Sequence, residues 1–153
     1  HFLRAHQVYY MAEQDFYSYL MKLRDAEYFG SSIGLHHTAC REGYAEAELA
    51  VRPEFINLQG TIHGGIFLTL ADVCGGTAAC SYGNIVATVD NSYHFLRAGK
   101  DVRVLKAKAR TIKAGRRLMV FDVTVSDQDG LLLGEGMFSY MALEQKIEEI
   151  PFP

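Results

Sequence analysis

One carboxylate stands inside an apolar run. Asp72 follows Leu68, Leu70 and Ala71 and precedes Val73 and Cys74. A carboxylate is almost never fully buried unless something satisfies it, and one withdrawn from bulk water suits a general base. The bland alternative is an Asp in a small polar seam of a helix. His63-Gly64-Gly65 opens the same run. The first turn of a helix offers free N–H groups and the positive end of the helix dipole, and glycine lets a ligand approach the backbone. That is a place for an anion or a developing oxyanion, although a Gly-rich cap alone is a weak signal. Asn57 lies upstream in a loop, where its amide could hold a water or a carbonyl oxygen. Thr88 follows the run, and strict alternation would put Val86, Thr88, Asp90, Ser92 and His94 on one strand face. Lys113, Arg116 and Arg117 surround a turn and could meet a phosphate, or only water. His36, His37, His94 and the three cysteines (Cys40, Cys74, Cys80) form no metal-ligand pattern, so no metal is expected.

These groups need elements to position them. Residues 3–29 have the spacing of a helix, with Val8, Met11, Phe16, Tyr19, Leu20 and Leu23 apolar and Gly30-Ser31-Ser32 as its stop. Residues 35–41 and 44–51 alternate as a hairpin joined at Glu42-Gly43. The helix after His63 is apolar or small on every side up to Cys80, which predicts a central, buried helix whose Gly75-Gly76 admit another backbone. Four strands follow, at 85–97, 101–113, 117–127 and 131–143. Their breaks, Ala98-Gly99-Lys100, Ala114-Gly115-Arg116 and Gln128-Asp129-Gly130, each read as a hairpin turn. The order helix, two strands, helix, four strands predicts an α+β domain: one curved antiparallel sheet wrapped around the central helix. The chain divides into a helical lead-in at 1–33, the domain at 34–143 and a loose polar tail at 144–153.

Composition bounds the rest. The chain has 153 residues, 49% apolar and 22% charged, which is one globular domain. A net charge of −3 argues against nucleic acid as partner. An odd number of cysteines without CxxC predicts a reducing, cytoplasmic setting. No segment reads as a signal peptide, and the apolar stretch 64–82 holds Asp72 and four glycines, so it reads as buried in protein and not in lipid.

Taken together, Asn57-x-x-Gly60-x-x-His63-Gly64-Gly65, Leu70-Ala71-Asp72, Thr88-Val89-Asp90 and Phe95-Leu96-Arg97 resemble the hotdog-fold acyl-CoA thioesterases, and within them the phenylacetate-degradation (PaaI-like) branch. The resemblance covers residues 30–143 and departs at Ala98, where the family often has Pro. It implies a hotdog fold and hydrolysis of an acyl-CoA to free acid and coenzyme A, with no cofactor beyond the coenzyme A of the substrate. It implies that Gly64 polarises the thioester carbonyl and that Asp72 is base or nucleophile. Asn57 then places the attacking water and Thr88 assists it. The candidate substrate-binding residues beside these are His63, Gly65, Arg97, Lys113, Arg116 and Arg117. A homodimer, and a tetramer beyond it, is the implied assembly.

The spacing adds a point of its own. Gly64 and Asp72 lie eight residues apart on one helix, about 12 Å along the axis. A reacting carbonyl must lie about 3 Å from both its oxyanion donor and its attacking group. If both residues serve one carbonyl, they come from two chains, and the site sits at a dimer interface. Two other readings compete: a hotdog hydratase or dehydratase, which wants a His and an acid facing one site, and a non-catalytic acyl-CoA-binding protein.

Overall fold

The structure is a computed structural model that describes residues 13–153. The part of the expected first helix that carries Val8 and Met11 lies outside the described residues. Helix α1 (Glu13–Asp25) places Leu20 and Leu23 on its buried face. It does not continue to 29. The chain breaks at Ala26-Glu27 and starts a short helix, α2 (Tyr28–Ile33), which runs through the expected stop at Gly30–Ser32. The true stop is Gly34, whose φ of 83° brings its N–H back to the Gly30 and Ser31 carbonyls.

Strands β1 (His36–Arg41) and β2 (Tyr44–Ala50) form the expected hairpin, with Gly43 at φ 72° in the turn. Helix α3 (Gly64–Cys80) follows, then β3 (Asn84–Phe95), β4 (Val104–Ala114), β5 (Leu118–Ser126) and β6 (Leu132–Lys146). The six strands make one antiparallel sheet in the order β1-β2-β4-β5-β6-β3. Ala45, Ala47, Ala107 and Ala109 line its centre, all but inaccessible, and these short side chains let α3 lie close against the strands. Leu70, Ala71, Cys74 and Ala78 are the residues of α3 that fill the contact. The outer face is charged, and its ladder pairs Lys106 with Glu48, Lys108 with Glu46 and Arg110 with Asp122.

Four further expectations change. Ala98-Gly99-Lys100 is a crossover and not a hairpin turn, because β3 pairs with β6 while β4 lies between β2 and β5. The tail is not loose: β6 runs to Lys146, and Ile147, 2% exposed, packs with Leu20, Leu23 and Cys80. Gly75-Gly76 admit side chains and not a backbone. A Cβ on Gly75 would lie 2.3 Å from the Tyr140 hydroxyl, and one on Gly76 3.3 Å from the Arg24 guanidinium. Two glycines inside a helix cost about 1 kcal/mol each relative to Ala, so this room is obtained against propensity.

The last change concerns β3. Its register against β6 shifts between Thr88 and Asp90, so Val89 is the extra residue of a β-bulge. Thr88 pairs with the inward-facing Tyr140, whereas Asp90 pairs with Ser139. The bulge breaks the single polar face. Val86 and Thr88 point to the helix side with Asn91, Tyr93 and Phe95, and Asp90, Ser92 and His94 point away. Among the described residues no helix is long and apolar enough to cross a membrane.

Candidate active site

Three stations lie along α3. At its start, His63 is the N-cap, and its Nδ1 accepts the Gly65 N–H at 2.9 Å. The Ile66 N–H donates to the His63 carbonyl. The Gly64 N–H has no partner among the described residues, so it is the free donor of this turn. Gly65, expected beside it, has its N–H committed to His63. Asn57 is held at this same end. Its Oδ1 accepts from the N–H groups of Gln59 and Thr61 and from the Thr61 hydroxyl, at 3.0, 3.1 and 3.2 Å. Its own N–H donates to the Thr61 carbonyl, and the His63 N–H to that of Phe55, which folds the loop back on the helix start. With Oδ1 saturated, Nδ2 is the part of Asn57 left to act, as a donor. A cleft of about 250 Å3 lies here, bordered by Gly64, Phe67, Phe95 and Arg97. The Arg97 guanidinium donates to the Leu132 carbonyl at 3.0 Å on the cleft's rim.

At mid-helix stands Asp72, half-buried. Thr88 donates to its Oδ1 at 2.9 Å, and so does the Tyr140 hydroxyl at 3.2 Å. No described residue donates to Oδ2, which remains open to solvent. The structure thus joins Asp72 to Thr88 and adds Tyr140, which sequence reasoning missed. A signal existed in Gly75: a glycine in a buried helix marks room taken by something else.

At the far end, the β4–β5 turn carries Lys113, Arg116 and Arg117, all exposed. Arg116 shares a shallow pocket with Ala79 and Tyr82 at the C-terminal end of α3. Within one chain, then, Asn57, Gly64 and Arg97 cluster at one end, Asp72 and Thr88 in the middle, and the basic turn at the other end.

A second constellation was not foreseen. His37 is buried, its Nδ1 donates to Asp25 Oδ1 at 2.6 Å, and its Nε2 lies 2.8 Å from the Thr77 hydroxyl. The Arg24 Nε–H donates to the same Thr77 oxygen at 3.0 Å. Thr77 is 0% exposed, so no substrate reaches it. A larger cavity of about 490 Å3 lies between α1, α2 and the C-terminal residues, and none of the expected site residues lines it. No cluster of three or more metal-ligating side chains occurs among the described residues.

The family model of the thioesterase superfamily matches residues 59–133, which span Gly64, Asp72, Thr88 and the basic turn. A protein of Archaeoglobus fulgidus named "Putative esterase" is 28% identical over 93 residues, 61% of this chain and 60% of its own length. The acyl-coenzyme A thioesterase PaaI of Escherichia coli is 27% identical over 97 residues, 63% of this chain and 69% of its own. The solved structure of the E. coli PaaI protein superposes with a TM-score of 0.82 at 19% identity, covering 89% of this chain and 99% of that one. The fold expected from the sequence is therefore present.

Proposed function

We propose that this chain, a member of the thioesterase superfamily with the hotdog fold of the PaaI-like proteins, hydrolyses an acyl-CoA thioester to a free acid and coenzyme A. One observation carries the reading. The Asp72 carboxylate, on an otherwise apolar helix, is held through Oδ1 and open at Oδ2. That is the arrangement a general base or a nucleophile needs.

The reaction follows from these groups. Water attacks the thioester carbonyl while its proton passes to Asp72, or Asp72 attacks first and water then opens the mixed anhydride. Either way the carbonyl oxygen becomes an oxyanion. The Gly64 N–H donates to it, a contribution of about 3–4 kcal/mol for such a donor. The carbon–sulfur bond breaks and the thiolate leaves and takes up a proton. Asn57 Nδ2 donates to the attacking water, and the Thr88 oxygen, its proton given to Asp72, accepts from it. Arg97 borders the cleft, His63 and Gly65 shape the helix start beside it, and Lys113, Arg116 and Arg117 meet the phosphates of coenzyme A. A hydratase needs an imidazole that takes up a proton, and His63, whose Nδ1 accepts the Gly65 N–H, presents Nε2 as a donor and not as a base.

The eight residues between Gly64 and Asp72, about 12 Å of helix, require two chains for one carbonyl. Among the described residues no strand pairs with the outer edge of β3, and residues 88–92 are exposed. A second copy pairing with this edge would close it and bring the two stations together.

The test begins with thiol release from aryl, short-chain and long-chain acyl-CoAs, and from acyl-carrier-protein thioesters. Asn57→Ala and Asp72→Asn are then prepared separately, each close to inactive, and refolded together. Each mixed dimer has one site with both lesions and one with none. Random pairing therefore returns about a quarter of wild-type activity. No recovery, with mixed dimers shown by mass, would refute the shared site.

A further inference from the structure

We infer that Tyr140 is a positioning residue for the proposed base: its phenol, admitted by the gap at Gly75, fixes Asp72 through Oδ1 so that Oδ2 is the oxygen presented to the substrate. The inference rests on the thioesterase reading.

An isolated carboxylate turns about its last torsion and exchanges its two oxygens. Here two donors converge on one of them. Thr88 and Tyr140 are direct partners across β3 and β6, and both reach Oδ1 from the inner face of the sheet. The single phenol proton is shared in a three-centre bond between Oδ1 at 3.2 Å and the backbone carbonyl of Asp72 at 2.9 Å, which ties the carboxylate to its own backbone.

The phenol has no freedom of its own. Tyr140 is 1% exposed. Its ring stacks on Phe138 at 6.5 Å and meets Phe121 edge-on at 5.8 Å. Burial, and after it the Asp72 charge, pushes its hydroxyl far above the ordinary range for a phenol. Tyr140 therefore stays a donor at any working pH.

Gly75 completes the device. A Cβ there would stand 2.3 Å from the Tyr140 oxygen and 3.1 Å from Cζ. Its backbone is not in the left-handed region, so the position calls for glycine through space alone. Any larger residue displaces the hydroxyl from Asp72.

The test compares Tyr140→Phe, Gly75→Ala and the double variant in the thiol-release assay. Tyr140→Phe keeps the ring and removes only the donor. We expect kcat to fall about fivefold to tenfold, as for one lost hydrogen bond of ordinary strength, with KM within twofold of wild type. Gly75→Ala, which moves the same hydroxyl, should cost a similar factor. The double variant should be no worse than the poorer single one, because the phenol is lost once. In an Asp72→Asn background, Tyr140→Phe should have no further effect. A Tyr140→Phe protein with kcat within twofold of wild type overturns the inference while leaving the thioesterase reading standing. If the wild type releases no thiol from any acyl-CoA, the thioesterase reading fails. A crystal structure of Tyr140→Phe then decides the positioning role: a rotated Asp72 carboxylate supports it, and an unmoved one overturns it.

Discussion

Two hydrogen-bonded clusters meet on α3, five residues apart at Asp72 and Thr77. The Thr77 cluster has the look of a hydrolase triad: carboxylate, imidazole and hydroxyl in series, at 2.6 and 2.8 Å. It is closed. The Thr77 oxygen lies between His37, Arg24 and the Val73 carbonyl, and Asp25 Oδ1 also accepts the His37 backbone N–H. Its product is the attachment of α1 and β1 to α3. The Asp72 cluster is chemically plainer, with no imidazole, yet it keeps one oxygen unspent and in reach of solvent. The difference teaches that residue types in series do not make a site. A site also needs an uncommitted group at an accessible place.

The contrast can be broken by substitution. Asp72→Asn should lower acyl-CoA turnover by roughly 100-fold or more if the carboxylate is the base, with an unchanged melting temperature. Turnover near the wild-type value in the folded variant would move the chemistry elsewhere. Thr88→Ala removes one of two donors to Oδ1, so its kcat should fall by a smaller factor, about fivefold. A silent Thr88→Ala would reduce Thr88 to a strand residue. Replacing Lys113, Arg116 and Arg117 by Ala should raise KM about twofold to fivefold at low salt and hardly at all near 1 M, where the Debye length is about 3 Å. A loss of kcat at unchanged KM would speak against phosphate contacts at that turn. Thr77→Val should leave turnover within twofold of wild type. Urea denaturation should instead record a loss of about 1–3 kcal/mol, because buried donors and acceptors on His37 and Arg24 lose their partner. A large fall in turnover with little loss of stability would erase the distinction between the clusters.

How much of this was legible follows from how local each signal is. The helix start at His63-Gly64 and the lone charge at Asp72 lie on one continuous apolar run, and its pattern alone finds them. Thr88 was found with the wrong companions, because alternation assumes a regular strand and the bulge at Val89 depends on how β6 pairs. Tyr140 lies 68 residues from Asp72, and no spacing rule reaches that far. The same holds for His37, whose partners Asp25 and Thr77 sit on two different helices. The crossover at 98–100 has the residues of a turn. Only the strand order shows that it carries the chain across the sheet.

That strand order also limits when β3 can be paired. β3 is complete at Phe95, yet β6, the strand it pairs with, begins only at Leu132. As the chain emerges, β4 and β5 can zip onto the β1–β2 hairpin while β3 waits with both edges bare. An uncovered strand of this length is a template for aggregation, and the run Asp90-Asn91-Ser92 with His94 supplies polar gatekeepers along it. The last strand pairs with both β5 and β3 and brings Tyr140 opposite Thr88. The hydroxyl that holds the proposed base thus comes from the last strand of the chain. A chain stopped short of β6 would keep Asp72 and Thr88 in its sequence and have no site.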